Sequence, residues 1–419
     1  MGRERLGGQF TKLWSASTTS ALGSGLTTIA APLFVASRTS NPVVVSLSFM
    51  VAWLPWLLFA LPGGVLVDRV DRRRLMVLID CLRIAAVGVL ATAIMTGWAS
   101  VALLYAVLFM VNTGEVVFRT AGQAMLPAVV PRARLERANG WLFGGNTLMQ
   151  GMIAGPLGGF LFVIAASIPF FLNAGTYAAS AVLLGLIAGG YRAPAGTTDQ
   201  QPRSVRAEVV DGLRWLMRQR LLRTMALLIG LLNVTLTAAE SVLVLLARDR
   251  LHLGSVGYGL LFTCMAVGGL FGSIVGDRLI ERFTATWTIR VGLLIEAGMH
   301  LTLAASRSPY LIGFALLAFG VHGSLWGIVG SSLRQRLSPP DMIGRISSST
   351  LFVVAGGNCV GALLGGVIAS NFGLTAPYWV GFVVAIIVTA LTWRVFDRAT
   401  VAEAYAEPAA APSAATSAS

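Results

Sequence analysis

The feature that most constrains this chain is a series of apolar runs separated by short polar breaks. Runs centred near residues 25, 55, 86, 112, 153, 180, 234, 265, 295, 320, 358 and 386 each reach the roughly 20 helical residues needed to cross a hydrocarbon core. They predict an all-α membrane protein with about twelve transmembrane helices. Composition agrees: at 56% hydrophobic and 12% charged residues, the chain has too few charges to solvate a globular surface of its size. The formal net charge of +13 does not point to nucleic acid. The basic residues sit in short breaks between apolar runs, where they face anionic headgroups, so the expected partner is the lipid bilayer and not nucleic acid.

The densest of these breaks is Gly64-Val65-Leu66-Val67-Asp68-Arg69-Val70-Asp71-Arg72-Arg73-Arg74, a charged knot between two full-length spans. Positive charge in a short flanking loop resists translocation, which favours the cytoplasmic side. Threading the other spans from that point puts nearly all the loop arginines on the same side. Only Arg38, Arg248, Arg250 and Arg307 fall opposite. A multi-pass protein of the inner or plasma membrane, with both termini cytoplasmic, is expected. The basic N-terminus leads directly into a full-length span, so no cleaved signal peptide is expected.

The longest internal break opens with Ala-Pro-Ala-Gly-Thr-Thr-Asp-Gln-Gln-Pro, too polar to order itself by burial. It continues over 205–222 with Val209, Leu213, Leu216 and Met217 opposite Arg206, Arg214 and Arg218, the pattern of a basic amphipathic helix on a membrane surface. The expected organisation is a six-helix bundle over 1–191, a cytoplasmic linker over 192–222, a second six-helix bundle over 223–396 and a disordered tail over 397–419. Internal echoes support duplication. Asp277-Arg278 follows its apolar run as Asp68-Arg69 does, and Gln335 to Pro339 repeats Gln123 to Pro127 at a similar offset. Cys81, Cys264 and Cys359 lie far apart inside apolar runs and form neither a disulfide framework nor a metal site.

Polar residues inside spans are costly unless they face a cavity or a partner. Helix 4 carries Asn112, Glu115, Arg119 and Gln123 on one face, and helix 7 carries Asn233, Thr237 and Glu240. Helix 1 offers Ser17, Ser20, Ser24, Thr27 and Thr28, and helix 10 offers His322 and Trp326. Glu115 and Arg119 are spaced to neutralise one another. Glu240 has no cation at helical reach, which makes it the better proton-site candidate. Asp80 with Arg83, near the cytoplasmic end of helix 3, and Glu296 with His300 in helix 9 read as mutually satisfied pairs. Three histidines without a suitably placed nucleophile or paired metal ligands argue against an enzyme. In helix 5, Gly151-Met-Ile-Ala-Gly155-Pro156-Leu157-Gly158-Gly159 places glycines four apart, where another helix can approach, next to a proline that bends the span. Gly357, Gly361 and Gly365 in helix 11 form a plainer counterpart.

The charged knot resembles the loop-2/3 signature of the major facilitator superfamily, Gly-x-Leu-x-Asp-Arg-x-Gly-Arg-Arg, except that Asp71 stands at its second glycine. The helix-5 string resembles the motif associated with that superfamily's antiporters. The runs Gln123-Ala-Met-Leu-Pro-Ala-Val-Val-Pro and Gly257-Tyr-Gly-Leu-Leu are similar to the transmembrane secretion effectors, a branch that includes siderophore and macrolide exporters. The resemblance implies two pseudo-symmetric six-helix bundles rocking about a cavity lined mainly by helices 1, 4, 7 and 10. It implies a gating role for Gly64, Asp68, Arg69, Arg72 and Arg73, with Asp277 and Arg278 as weaker counterparts. Asp68 is expected to seat at the helix 11 N-terminus when the cytoplasmic side closes.

The resulting expectation is a monomeric secondary transporter. It exports a small, partly apolar molecule such as an antibiotic or siderophore by proton antiport, with the proton gradient as energy source and no cofactor or metal. Glu115, Arg119, Glu240, Asn112, Asn233, His322, Trp326, Ser24 and Thr28 are its candidate cavity residues. A nutrient uptake permease and a non-transporting sensor are the alternatives.

Overall fold

The computed structural model describes residues 6–192, 214–337 and 343–393. The first half contains α1 Gly8–Arg38, α2 Pro42–Arg69, α3 Arg72–Thr96, α4 Val101–Val129, α5 Arg132–Ile164 and α6 Ile168–Gly185. The second half begins with α7, Leu222–Asp249, which is interrupted at Val242. A 51-residue helix, Ser255–Ala305, then breaks at Thr284 (φ 65°, ψ 153°), and its arms 255–283 and 285–305 are α8 and α9. α10 Pro309–Leu337, α11 Ile343–Phe372 and α12 Ala376–Thr392 follow. Ten helices among the described residues are long and apolar enough to span a bilayer. Because the broken helix crosses twice and the shorter α12 adds another pass, the path makes the twelve crossings that the apolar runs predict.

Local chemistry sets the helix ends. Asn41 and Ser100 accept the N–H of Val43 and Leu103 at 2.9 and 3.1 Å, which caps α2 and α4 in the usual way for such side chains. α3 starts on Asp71, which accepts the Arg74 N–H at 2.9 Å, and stops at Gly97 in the left-handed region (φ 86°). Large apolar side chains such as Phe160, Val163, Ile274, Phe314 and Leu391 point outward, as a lipid-facing surface requires.

Within the first half α1 packs on α5 and α6, α3 on α4 and α6, and α2 on α4. In the second half α10 packs on the Ser255–Ala305 helix, α11 on α7, and α12 on α9 and α7. Two seams join the halves, α2 with α11 and α5 with α8. Adding six to each helix number turns one seam into the other, which is the pseudo-symmetry expected of duplicated six-helix bundles.

Glycines make both seams close. A Cβ on Gly259 of α8 would lie 2.0 Å from the Gly155 carbonyl oxygen of α5, and one on Gly159 would lie 2.3 Å from that of Ser255. In the other seam a Cβ on Gly366 would lie 2.0 Å from Ser46 Oγ. The helix-5 string Gly151, Gly155, Pro156 and Gly159 is therefore a contact face toward the opposite half. Gly361 and Gly365 pack instead within their own half, on Val234 and Ala238 of α7.

The first half of the expected amphipathic segment, 205–213, lies outside the described residues, as does the 397–419 tail. Residues 214–218 are helical, and Leu216 packs with Leu222, Ala226 and Ile346.

Candidate functional site

Two adjoining cavities share Glu115, Arg119 and Gln150, the inner one between the halves and the other along the first half. The inner one, about 370 Å³, is bounded by α1, α2, α4, α7 and α8, and it takes in Ser24, Thr28, Asn112, Glu115, Arg119 and Glu240. A vestibule of about 650 Å³ adjoins it and is lined by Ser17, Ser20, Gln123, Asn139 and Asn146. It opens toward the side that carries the Gly64 to Arg74 loop. On the opposite side the halves are latched: Arg248 donates to the Ala36 carbonyl at 2.6 Å and to Ser40 Oγ at 3.1 Å. The structure is thus open to its basic side and closed on the other.

Glu115, midway along α4, is the best-compensated group in the site. Its Oε1 accepts from Arg119 Nε at 2.6 Å, and its Oε2 accepts from Arg83 Nη2 at 2.8 Å and from Ser24 Oγ at 3.2 Å. Arg83 is 1% exposed, lies 3.6 Å from Asp80, and stands over the rings of Phe118 and Tyr177. Gly114 makes room for it, since a Cβ there would sit 2.7 Å from Arg83 Nε. The expected Glu115–Arg119 and Asp80–Arg83 pairs both form, but Arg83 joins them into one network of two carboxylates and two guanidiniums. Arg83 also lies deeper than expected. It is eleven residues into α3, about 16 Å along the helix axis, and hence at mid-span beside Glu115.

Glu240 contrasts with this. It lines the inner cavity and backs onto a small apolar void between Leu236, Leu243, Met299 and Leu303. Its carboxylate makes no hydrogen bond or ion pair with any described residue. Asn233 and Thr237, expected beside it, do not share the cavity. Thr237 lies about 60° further round the helix and donates to Asn358 Oδ1 of α11 at 2.8 Å. Asn233 is half-buried and bonds back to the Ile229 carbonyl at 2.7 Å.

The α10 residues also turn away from the inner cavity. His322 is buried against α9, where Gly292 leaves space for its ring, and its Nε2 is 3.7 Å from Glu296 Oε2. Trp326 borders a separate cavity of about 160 Å³ with Met225, Ile229 and Gly330. The expected Glu296–His300 pair is replaced by Glu296–His322. His300 packs on Gly381 of α12, and both its ring nitrogens lack hydrogen-bond partners among the described residues.

In the charged loop, Asp68 is 69% exposed and 3.6 Å from Arg72, whose Nη1 donates to the Ala124 carbonyl at 2.9 Å. Arg73 donates to the Ile187 carbonyl, and Arg192 reaches the Arg69 carbonyl at 3.5 Å. Asp71 caps α3 and also accepts the Tyr191 N–H at 2.8 Å. Burial alone would raise its pKa, but these two amides and the neighbouring Arg73 and Arg74 guanidiniums hold the carboxyl below its ordinary range. Gly64 lies in the last turns of α2, which ends at Arg69, and Asp277 and Arg278 occupy the equivalent exposed position near the end of α8.

Sequence reasoning missed the aromatic wall of the inner cavity. Phe49, Trp53 and Trp56 from α2 and Phe262 from α8 line it. Arg119 stacks over Trp56 at 5.7 Å and donates to Gln150 Oε1 at 3.0 Å. The α2 spacing of four then three residues was a usable signal. Gln150 was harder to foresee, because α5 is π-helical over Thr147–Ile153, a local widening that commonly marks functional segments.

Known proteins show the same architecture. The chain is 26% identical over 376 residues to the multidrug efflux pump Tap of Mycolicibacterium fortuitum, covering 87% of this chain and 90% of that protein. It is 25% identical over 372 residues to the enterobactin exporter EntS of Escherichia coli, covering 85% and 84%. A bacterial homologue of the iron transporter ferroportin, solved in an inward-facing state, superposes with a TM-score of 0.74 at 15% identity, over 94% of this chain and 100% of that one. The family model described as transmembrane secretion effector matches residues 7–415, and the chain accordingly belongs to this family of major facilitator superfamily transporters.

Proposed function

We propose that the protein is a secondary exporter that moves a small, partly apolar molecule out of the cell in exchange for protons, by alternating access. The observation that carries this reading is Glu240, a carboxylate facing the inner cavity without a counter-charge among the described residues, while Glu115 and Asp80 of the central network each have one. A buried carboxylate is costly when ionised and unpaired but tolerable when protonated. Proton and substrate can therefore exclude one another at this position. With the cavity open to the basic side, taken as cytoplasmic from the charge asymmetry, Glu240 releases its proton inward and the cavity accepts a substrate with a cationic or polar edge. After the halves rock, reprotonation from outside displaces the substrate.

Asp68, exposed and paired only with Arg72 among the described residues in the open state, seats near the start of α11 when the basic side closes, with Arg69, Arg72 and Arg73 bracing the loop. Asp277 and Arg278 act likewise in the second half. The two bundles, 1–191 and 223–396, are the rocking bodies and the 192–222 linker joins them. The energy source is the proton gradient, with no resident cofactor. The relatives at modest identity include a multidrug pump and a siderophore exporter, which favours export.

The test is efflux of a panel of antibiotics, siderophores and dyes from cells with and without the protein, before and after adding a protonophore. Export of at least one compound that collapses with the protonophore is expected. A deletion strain that stops growing on a solute, with unchanged toxin sensitivity, would establish uptake instead. No flux of any panel member in proteoliposomes would favour a sensor.

A further inference from the structure

The inner cavity already holds a planar cation of its own. The Arg119 guanidinium lies over the Trp56 ring at 5.7 Å, tethered by Glu115 at 2.6 Å and Gln150 at 3.0 Å. Trp53 continues the surface, its ring 6.4 Å from that of Trp56. Charge within the central network cancels, since Glu115 and Asp80 balance Arg83 and Arg119. The uncompensated charge lining this cavity belongs to Glu240, on the opposite half. An indole face attracts a planar, weakly hydrated cation, and the attraction grows when water is excluded.

We propose that Trp56 is the specificity-determining residue of the inner cavity, and that its ligand is a planar, delocalised cation that replaces the Arg119 guanidinium on the indole. The inference rests on the export reading for the role of Glu240 as counter-charge. Arg119 is then an internal stand-in. Without ligand it shields the indole and keeps the cavity from collapsing onto it. When a ligand arrives, Arg119 withdraws onto Glu115 and Gln150, which already hold it from the other side. Selectivity follows from shape as well as charge: a flat cation fits between Trp56 and α7, whereas a tetrahedral ammonium of equal charge gains little from the ring face.

The test is direct binding of ethidium, a planar aromatic cation, to the purified full-length protein in detergent at pH 8, read by fluorescence anisotropy. Each variant is checked for monodispersity and thermal midpoint. Wild type should bind, and tetraethylammonium at equal concentration should not displace the dye. Trp56→Phe, which keeps a ring, should stay within about threefold of wild type. Trp56→Leu, which keeps apolar bulk without a ring, should bind about tenfold more weakly. Arg119→Gln should bind more tightly than wild type, and that gain should vanish in the Trp56→Leu background. Absence of ethidium binding by wild type, equal binding by Trp56→Leu, or a gain that survives without the indole would overturn the proposal. Failure of the export reading has a different signature, namely this binding pattern without uphill flux.

Discussion

The two carboxylates that face the central cavity occupy opposite electrostatic situations. Glu115 in the first half is held by two guanidiniums and a serine hydroxyl, whereas Glu240 in the second half has no hydrogen bond or counter-charge among the described residues and is surrounded by apolar side chains, Tyr378 and the cavity. The sequence offers both as acids within a span. The structure separates them by what surrounds them: a compensated charge stays charged and holds helices together, while an uncompensated one is free to change its proton. On the proposed mechanism, the first half supplies a pre-charged wall of the site and the second half carries the group that responds.

Three substitutions probe that contrast and a fourth probes the charged loop, from the largest expected effect to the smallest. Glu240→Gln mimics the protonated state permanently, so uphill efflux should be abolished while downhill substrate exchange persists, both measured in proteoliposomes with and without a pH gradient. Arg83→Leu removes the central cation of the compensated network and strands Glu115 and Asp80. A loss of roughly 3–5 kcal/mol of stability is expected, read as a lowered thermal midpoint and reduced yield of folded protein. A second change, Glu115→Gln, should restore part of that loss, and no recovery would mean the two groups are not coupled. Glu115→Gln alone should be milder, with transport slowed severalfold, because Arg119 keeps its contacts to Gln150 and Trp56. If it matched Glu240→Gln in abolishing coupling, the contrast between the two acids would be wrong.

The smallest effect lies in the charged loop. Asp71→Ala removes a helix cap and the bond to the Tyr191 amide, at a cost of about 1 kcal/mol. Because the folded-state pKa of Asp71 is lowered, its contribution is complete above the ordinary carboxylate range. It disappears as the pH falls through the lowered value. The difference in thermal midpoint between wild type and Asp71→Ala should therefore be constant near neutrality and shrink only in acid.

Much of this was legible in the chain itself. The apolar runs gave the number of crossings, the Gly64 to Arg74 knot marked the basic side, and the α1 stripe Ser17, Ser20, Ser24, Thr27 and Thr28 lines the two cavities. Asn112, Glu115, Arg119 and Glu240 also meet as expected. Helical spacing failed where a third helix chose the partner. Glu296 turns to His322 of α10 rather than to His300 of its own helix, because Gly292 admits the imidazole between α9 and α10. Thr237 leaves the cavity because Asn358 on α11 offers a buried partner. Arg83 was assigned to a local pair because nothing in α3 alone reveals that Gly114 on α4 opens a path to Glu115. Periodicity places residues on a face, but which face meets which neighbour is decided by packing across helices distant in sequence. The Trp53 and Trp56 wall was overlooked for a related reason: α2 is apolar all round, so no polar stripe distinguished its cavity side from its lipid side.

The most direct test of the central claim is proton release from purified protein in weakly buffered detergent when ethidium is added. The account predicts release by wild type and by Glu115→Gln, and none by Glu240→Gln, since the proton displaced by the ligand comes from the uncompensated acid. Equal release by wild type and Glu240→Gln, or its loss only in Glu115→Gln, would contradict the account.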